Sequence, residues 1–331
     1  MENITFNSLL FFIREAKENN KKVLITFHSV GDSDSVASAV ALKQYFENAK
    51  IITPDYITAN ATRMLKVAGF KPEEISKGFD ENSDIIILVD VNNFEDCGSL
   101  NYYLKNFDKD IIIIDHHILH NIEKERVFVY NDENSNSTSS IIYELFKQLK
   151  FNTSVNTKYI LLYGIISDSA DLKNAFPDTF VEIGALLKDT GTNYQSLLSM
   201  IEPLVDPKSR LGVVADICNA EKYIIGDVLI FYGQSHTHAN VSADISLKAG
   251  ADLSLFFSIG MEGISFSARL RETLDKRYDI HLGKVMKELA PIIRGSGGGH
   301  PCAAGAYGPV ITTEKEFKEA FIGIIKKHIN K

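Results

Sequence analysis

Cysteine is scarce in this chain. The three present, Cys97, Cys218 and Cys302, stand far apart and show no CxxC spacing, so neither a disulfide framework nor a thiolate zinc site is indicated. Long apolar runs are missing as well, none approaching the roughly 20 residues of a membrane span. The opening MENITFNSLLFFIREAKENN has a short apolar patch but neither a basic leader nor a small-residue cleavage site, and its spacing fits an amphipathic helix. A cytoplasmic protein is expected. Basic residues are outnumbered, 35 Lys and Arg against 43 Asp and Glu, for a formal charge of −8. That balance argues against a broad groove for long duplex nucleic acid, which depends on many cationic contacts to phosphate. Short phosphorylated substrates stay open, because a few local cations or metal ions suffice for them. No internal repeat, long low-complexity segment or Pro/Gly-rich linker is visible.

What is present is an alternation of strand and helix patterns. At 331 residues the chain exceeds the usual single-domain size, so two domains are expected. KVLITFH, KIITPD, SDIIILVD and KDIIIIDHH read as strands, with SDSVASAVALKQYFENA and ATRMLKVAG as helices between them. This predicts βαβ units and a mainly parallel sheet flanked by helices. NDENSNSTSS at 131–140 reads as a loop whose last Ser and Thr residues cap the helix SIIYELFKQL. Helical patterns dominate to about residue 220. From 221, EKYIIGDVLIFYGQ, ADLSLFFSIGMEG and ISFSARL look like antiparallel strands of a smaller α+β domain. The expected division is an α/β amino-terminal domain over 1–190, a helical connector over 191–225, and the smaller domain over 226–331, lying across a cleft.

Polar residues end the apolar runs in a telling way. Four isoleucines run into Asp115, His116 and His117, and a strand buried on both faces is an expensive place for such groups unless something binds there. VLITFH ends at His28 and leads to Asp32 and Asp34; DIIILVD ends at Asp90. In an open α/β sheet the carboxyl ends of the strands line one crevice, so a metal is the natural candidate. Taken singly, the acidic turn and Asp90 read as well as helix or strand caps. Asp168, closing the apolar run of LLYGIISD, opposes the helix dipole and calls for a positive partner. Asp171 is the bland alternative.

In this order the segments resemble the DHH phosphoesterase family, which includes RecJ nucleases, family II inorganic pyrophosphatases, and enzymes that degrade nanoRNA or remove the 3′-phosphate of pAp. HSVGDSDSVAS matches the first motif, LVD the second, DHH the third and GIISDS the fourth. GSGGGHPCAAGA matches the glycine-rich signature of the carboxyl-terminal domain in the nuclease and nanoRNase branch. The resemblance implies that His28, Asp32 and Asp90 hold one divalent metal and that Asp34, His116 and Asp168 hold a second, with Asp90 bridging. Such oxygen and imidazole ligands suit Mn²⁺, with Mg²⁺, Co²⁺ and Fe²⁺ as alternatives. Asp115 would orient His116 or His117 through a hydrogen bond, leaving His117 to contact phosphate or assist proton transfer. Gly31 stands where the family often has Pro, the stretch after Asp90 lacks a common Arg, and Ser169 and Leu172 replace the commoner Thr and Phe. These departures bear on substrate preference more than on catalysis.

In the smaller domain, Gly297, Gly298 and Gly299 before His300 read either as a backbone cradle for phosphate or as a tight turn, and the resemblance favours the cradle. Arg269 corresponds to the basic residue of the family's Ser-x-Arg segment and would clamp a terminal phosphate, assisted by Arg271 at i+2 on the same strand face. His236 and His238 read as a polar turn; His120 and His281 receive no role. The expected activity is two-metal hydrolysis of short phosphorylated nucleotides, nanoRNA oligonucleotides or the 3′-phosphate of pAp, with domain closure. A RecJ-like single-strand exonuclease, a linear or cyclic dinucleotide phosphodiesterase and a nucleotide-binding regulator are the alternatives. The expected partner is thus a short oligonucleotide or mononucleotide bisphosphate, with no membrane, and a homodimer is left open.

Overall fold

The computed structural model describes residues 1–118, 120, 122–201, 206–236, 238–260, 263–309 and 313–330. The chain forms two compact units, 1–203 and 204–331. Among the described residues no helix is long and apolar enough to cross a membrane.

The first unit runs β1 (Glu2–Asn3), α1 (Phe6–Glu18), β2 (Val23–Thr26), β3 (Val30–Gly31), α2 (Ser33–Tyr45), β4 (Ala49–Ile52), β5 (Tyr56–Ile57), α3 (Ala59–Val67), β6 (Ile75–Ser76), β7 (Ile85–Val89), α4 (Asn101–Asn106), β8 (Asp110–Asp115), β9 (Val127–Asn131), α5 (Thr138–Gln148), α6 (Val155–Asp168), α7 (Pro177–Thr190) and α8 (Tyr194–Ile201). Seven strands form one sheet in the order β1-β9-β8-β7-β2-β4-β6. Every pairing in it is parallel, as the strand–helix alternation predicts. The central strands are apolar on both faces because helices cover both. Ile85, Ile87, Val89, Ile112 and Ile114 pack into the layer of α1, α2, α5 and α6, while Ile86, Leu88, Ile111 and Ile113 meet Phe94, Cys97, Leu100 and Leu104. Each such side chain contributes roughly 1.5–3 kcal/mol. The strand order reverses at β2, which has β4 on one side and β7 on the other. That switch point opens a crevice at the carboxyl ends of β2 and β7, where His28 and Asp90 follow.

The second unit contains α9 (Pro207–Asn219), β10 (Glu221–Ile225), β11 (Val228–Gln234), α10 (Ala239–Lys248), β12 (Leu253–Gly260), β13 (Gly263–Leu270), α11 (Glu272–Tyr278), α12 (Leu282–Leu289), β14 (Ser296–Gly299), β15 (Ala303–Gly308) and α13 (Glu314–Ile329). Its sheet, ordered β10-β11-β12-β13-β15-β14, is mixed. β11 and β12 pair in parallel, against the expectation of antiparallel strands, because α10 carries the chain back across the sheet before β12 begins. Phe266 and Phe317 stack 3.9 Å apart at the centre of the core.

The glycine-rich stretch is neither an open cradle nor a turn alone. Gly297, Gly298 and Gly299 form the edge strand β14, paired with β15. A Cβ on Gly297 would collide with the Met286 carbonyl of α12, and one on Gly299, at φ +133°, would press on Ala303 and Ala304; Gly298 faces open space. Two of the three glycines thus serve close packing. Gly297→Ala should destabilise this unit by about 1–3 kcal/mol through overpacking, whereas Gly298→Ala should change stability by less than about 0.5 kcal/mol. Chemical denaturation of the two variants checks the contrast.

Candidate metal centre

Three strand ends and two helix ends deliver the polar residues to one place. His28 follows β2, Asp90 follows β7, Asp115 closes β8 ahead of His116 and His117, and Asp168 closes α6. Asp32 caps α2, its side chain accepting from Ser35 N at 3.0 Å, and Asp34 lies in the first turn of the same helix. His28, Asp32 and Asp90 form one group and Asp34, His116 and Asp168 another, the candidate ligand atoms within each lying no more than 4.8 Å apart. Asp90 touches both groups. Its Oδ2 lies 3.5 Å from His28 Nε2 and its Oδ1 3.4 Å from His116 Nε2. The residue is held at φ +59°, a left-handed conformation that is strained for aspartate and persists because the site over-determines it.

Neutralising these acids is the main electrostatic problem. Burial alone would lower the His28 pKa, but Asp32 and Asp90 outweigh it and push it up to about 10. Burial likewise works downward on His116, where Asp168 and Asp90 push the value up to about 11. Asp34 is raised well above the carboxylate range by burial, and the charges of Asp90 and Asp168 add to this. Burial would also raise Asp90, yet His116 and His28 hold it well below its usual value.

The donor set fits divalent metal. All candidate ligand atoms are oxygen or imidazole nitrogen. His116 Nε2 is buried with no hydrogen-bond partner, although Asp168 Oδ2 stands 3.0 Å away. An imidazole and carboxylates whose ligand atoms converge within 4.8 Å are arranged around a common point, as ligands are around a cation. The cavity beside them, about 450 Å³, is lined by His28, Asp32, Asp90, Asn92, His117 and His120 among others. His120, given no role from sequence, therefore stands at the site.

The support that the sequence left hidden is the amino end of α5. Ser137 caps this helix as expected, accepting from Ser140 N. The next two backbone N–H groups, of Thr138 and Ser139, donate to the two oxygens of Asp34 at 2.7 and 2.8 Å, and Thr138 Oγ1 donates to Asp90 Oδ1 at 3.1 Å. The helix end thereby satisfies its own orphan donors and aims two acids at once. Close approach requires Gly164 on α6, where a Cβ would strike Ser139 Oγ and crowd Asp34 Oδ1. Gly31 has a similar origin: a Cβ there would run into the Phe27 ring.

Two family models match the chain, the DHH family N-terminal domain over residues 22–165 and the DHHA1 domain over 220–327. The chain carries a DHH-family domain followed by a DHHA1 domain. It is 29% identical over 321 residues to an uncharacterized protein of Methanocaldococcus jannaschii, covering 93% of this chain and 92% of the relative. A probable manganese-dependent inorganic pyrophosphatase of Streptococcus thermophilus is 28% identical over 281 residues, 78% of this chain and 85% of the relative. Among solved structures, an exopolyphosphatase-related protein from Bacteroides fragilis covers 98% of this chain and 97% of its own with a TM-score of 0.76 at 16% identity, a shared fold.

Within the DHHA1 domain the two arginines part company. Ser265, Ser267 and Arg269 alternate with the core residues Ile264, Phe266, Ala268 and Leu270 along β13. Arg269 donates to Asp244 Oδ1 at 2.6 Å and to Ser267 Oγ at 3.2 Å. Ser267 pairs across the sheet with Gly305, and Gly305 with Gly298, so a floor without side chains adjoins this serine. Arg271 does not share the strand face as expected. The strand ends at Leu270, and the Arg271 guanidinium instead fastens the turn between α10 and β12 through Asp252 Oδ1 and the Leu247 and Ala251 carbonyls. His300 is exposed in the turn after β14, its backbone N–H donating to Ala303 O. The polar turn at His236 is anchored by buried Asp216, 3.1 Å from His236 Nδ1, and His238 follows as the cap of α10.

Two outcomes follow from the DHH-domain geometry. Thr138→Val, which removes the hydroxyl donor to Asp90 but keeps the backbone donor to Asp34, should weaken metal binding about tenfold or more while Thr138→Ser retains it; calorimetric titration measures this. The neighbouring acids push the His28 and His116 pKa values up to about 10 and about 11, so a metal has protons to displace there. Affinity should rise with pH between roughly pH 6 and pH 8, about tenfold per unit for each proton displaced, with proton release visible as a dependence of binding heat on buffer ionisation.

Proposed function

We propose that the chain hydrolyses short phosphorylated nucleotides, nanoRNA oligonucleotides or the 3′-phosphate of pAp, at a two-metal centre. Hydrolysis of phosphoester bonds is the activity that the DHH and DHHA1 domains support. The observation that carries the two-metal reading is the sharing of Asp90 between the His28–Asp32 group and the His116 group. His28, Asp32 and Asp90 would hold one ion; Asp34, Asp90, His116 and Asp168 would hold the other. When bound, such a pair supplies Lewis acidity and an activated water for in-line displacement at phosphorus. Mn²⁺ is the favoured metal, from the oxygen and imidazole donors and from the manganese dependence named for the pyrophosphatase relative.

The chain's own residues have separate tasks in this reading. His117 Nδ1 lies 2.9 Å from Asp115 Oδ1, and its ring is half exposed at the cavity. The hydrogen bond to Asp115 raises the His117 pKa against the opposing effect of burial, so its free Nε2 can carry a proton to the leaving oxygen or contact the phosphoryl group. Arg269, with the floor free of side chains at Gly298 and Gly305, supplies nucleotide or phosphate binding in the DHHA1 domain. The cavity volume and the excess of acids favour a short substrate over a long strand. Inorganic pyrophosphate is the second reading, favoured by the pyrophosphatase likeness over 78% of the chain.

The deciding assay presents Mn²⁺-loaded protein with pAp, RNA and DNA oligomers of graded length, cyclic dinucleotides and pyrophosphate. Release from pAp or from the shortest oligonucleotides, declining with length, is expected; turnover of pyrophosphate alone would replace this reading with the second. Asp90→Ala should lower turnover by at least about a hundredfold with loss of metal. Arg269→Ala should raise KM about tenfold at unchanged metal content, read from steady-state kinetics and metal analysis side by side.

A further inference from the structure

We propose that Asn131 is a positioning residue for Asp115, and through it for His117, by donating a side-chain amide hydrogen bond to Asp115 Oδ2. The functional part of this inference rests on the phosphoesterase reading above; the hydrogen bond itself does not.

The strands place the two side chains together. β8 and β9 pair in parallel with Asp115 directly opposite Asn131. Alternation along β8 puts Asp115 on the face of Ile111 and Ile113, and alternation along β9 puts Asn131 on the face of Val127 and Val129. Those four apolar residues belong to a single cluster. Asp115 and Asn131 therefore leave the sheet on the same side, at neighbouring strand ends, each continuing the row that its own strand contributes to that cluster.

Their hydrogen-bonding capacity is left in an unusual balance. Asp115 is fully buried, and one of its oxygens is taken by His117. Its second oxygen, Oδ2, is buried with no donor, and Asn131 Oδ1 is also buried with none. Buried acceptors without donors are rare because desolvation is not compensated. One rotation supplies Asp115 Oδ2 with a donor. Turning the Asn131 amide over about χ2 replaces its acceptor oxygen by the nearly isosteric Nδ2, a donor, without disturbing the packing around it. Asp115 then has one donor on each oxygen, Asn131 on Oδ2 and His117 on Oδ1.

That arrangement has a consequence for the imidazole. The His117 side chain is 51% exposed, so neighbouring packing does not fix its ring, and its orientation depends on the carboxylate that holds Nδ1. A carboxylate free to rotate would hold the ring loosely. Asn131 prevents that rotation, and the Asp132 N–H, donating to the Asp115 carbonyl at 3.0 Å, ties the same two strand ends through the backbone. Asn131 makes no hydrogen bond to His28, Asp32, Asp34, Asp90, His116 or Asp168 among the described contacts, so its removal is expected to act on His117 rather than on metal loading.

The test uses the full-length protein loaded with diamagnetic Mg²⁺ and ¹⁵N-labelled at histidine. The His117 ring nitrogens should report a fixed tautomer with the proton on Nδ1. Asn131→Leu, similar in volume but without the amide, should convert this to averaged tautomers and lower kcat about tenfold or more at unchanged KM and metal stoichiometry. Asn131→Ala serves if the leucine variant fails to fold. A His117 tautomer unchanged in the folded variant overturns the inference, and so does a loss confined to KM or to metal content. If the wild type turns over none of the phosphoesters in the panel, the functional reading falls, while the nitrogen signals still decide whether Asn131 holds Asp115.

Discussion

Several carboxylates and two imidazoles meet at the carboxyl ends of parallel strands, and the mutual repulsion of those acids in a largely buried place governs the rest of the DHH domain. Asp34 and Asp90 are nearly inaccessible to solvent, and Asp168 and Asp32 stand close by. Such a group is tolerable only if positive charge is drawn in. The acids raise the pKa values of His28 and His116, so protons can meet this need, and a divalent cation meets it with fewer groups and a fixed geometry. The left-handed backbone at Asp90, φ +59°, lies at the residue that both groups share.

Holding like charges together also requires scaffolding that carries no charge. The amino end of α5 provides it, offering backbone donors to Asp34 and a hydroxyl to Asp90. Its proximity to α2 and α6 depends on small residues: Ser38 and Ser139 lie within 3.3 Å of one another at Oγ, and Gly164 leaves the space that Ser139 occupies. Packing and electrostatics are thus coupled, because a methyl group in the wrong helix would move the donors off the acids. The DHHA1 domain uses glycine in a related way, to bring α12 against β14 while leaving Gly298 open.

Much of the architecture was legible in the residues. Runs such as IIILV and IIII, apolar without alternation, specify strands covered on both faces and hence a parallel sheet. The polar residues ending those runs marked one crevice, and the structure brings His28, Asp32, Asp34, Asp90, His116 and Asp168 to it. Less legible were features that depend on a partner distant in sequence. Arg269 and Arg271 look equivalent at i and i+2, yet the strand stops between them. The three consecutive glycines look alike, yet each faces a different neighbour. The crossover at α10 leaves little trace in the sequence because ANVSADISLK has only a weak apolar stripe.

The sequence by itself determined the strand and helix periods, the identity of the candidate ligands and their position at element ends, since these depend on local pattern and on residue chemistry. Only the tertiary structure decided which residues meet at Asp90, which backbone donors hold Asp34, and which oxygen of Asp115 is left without a donor. Those are contacts between segments up to about a hundred residues apart, such as Asp34 and Ser139. Their distances are set by how helices and strands pack, and no local pattern encodes that.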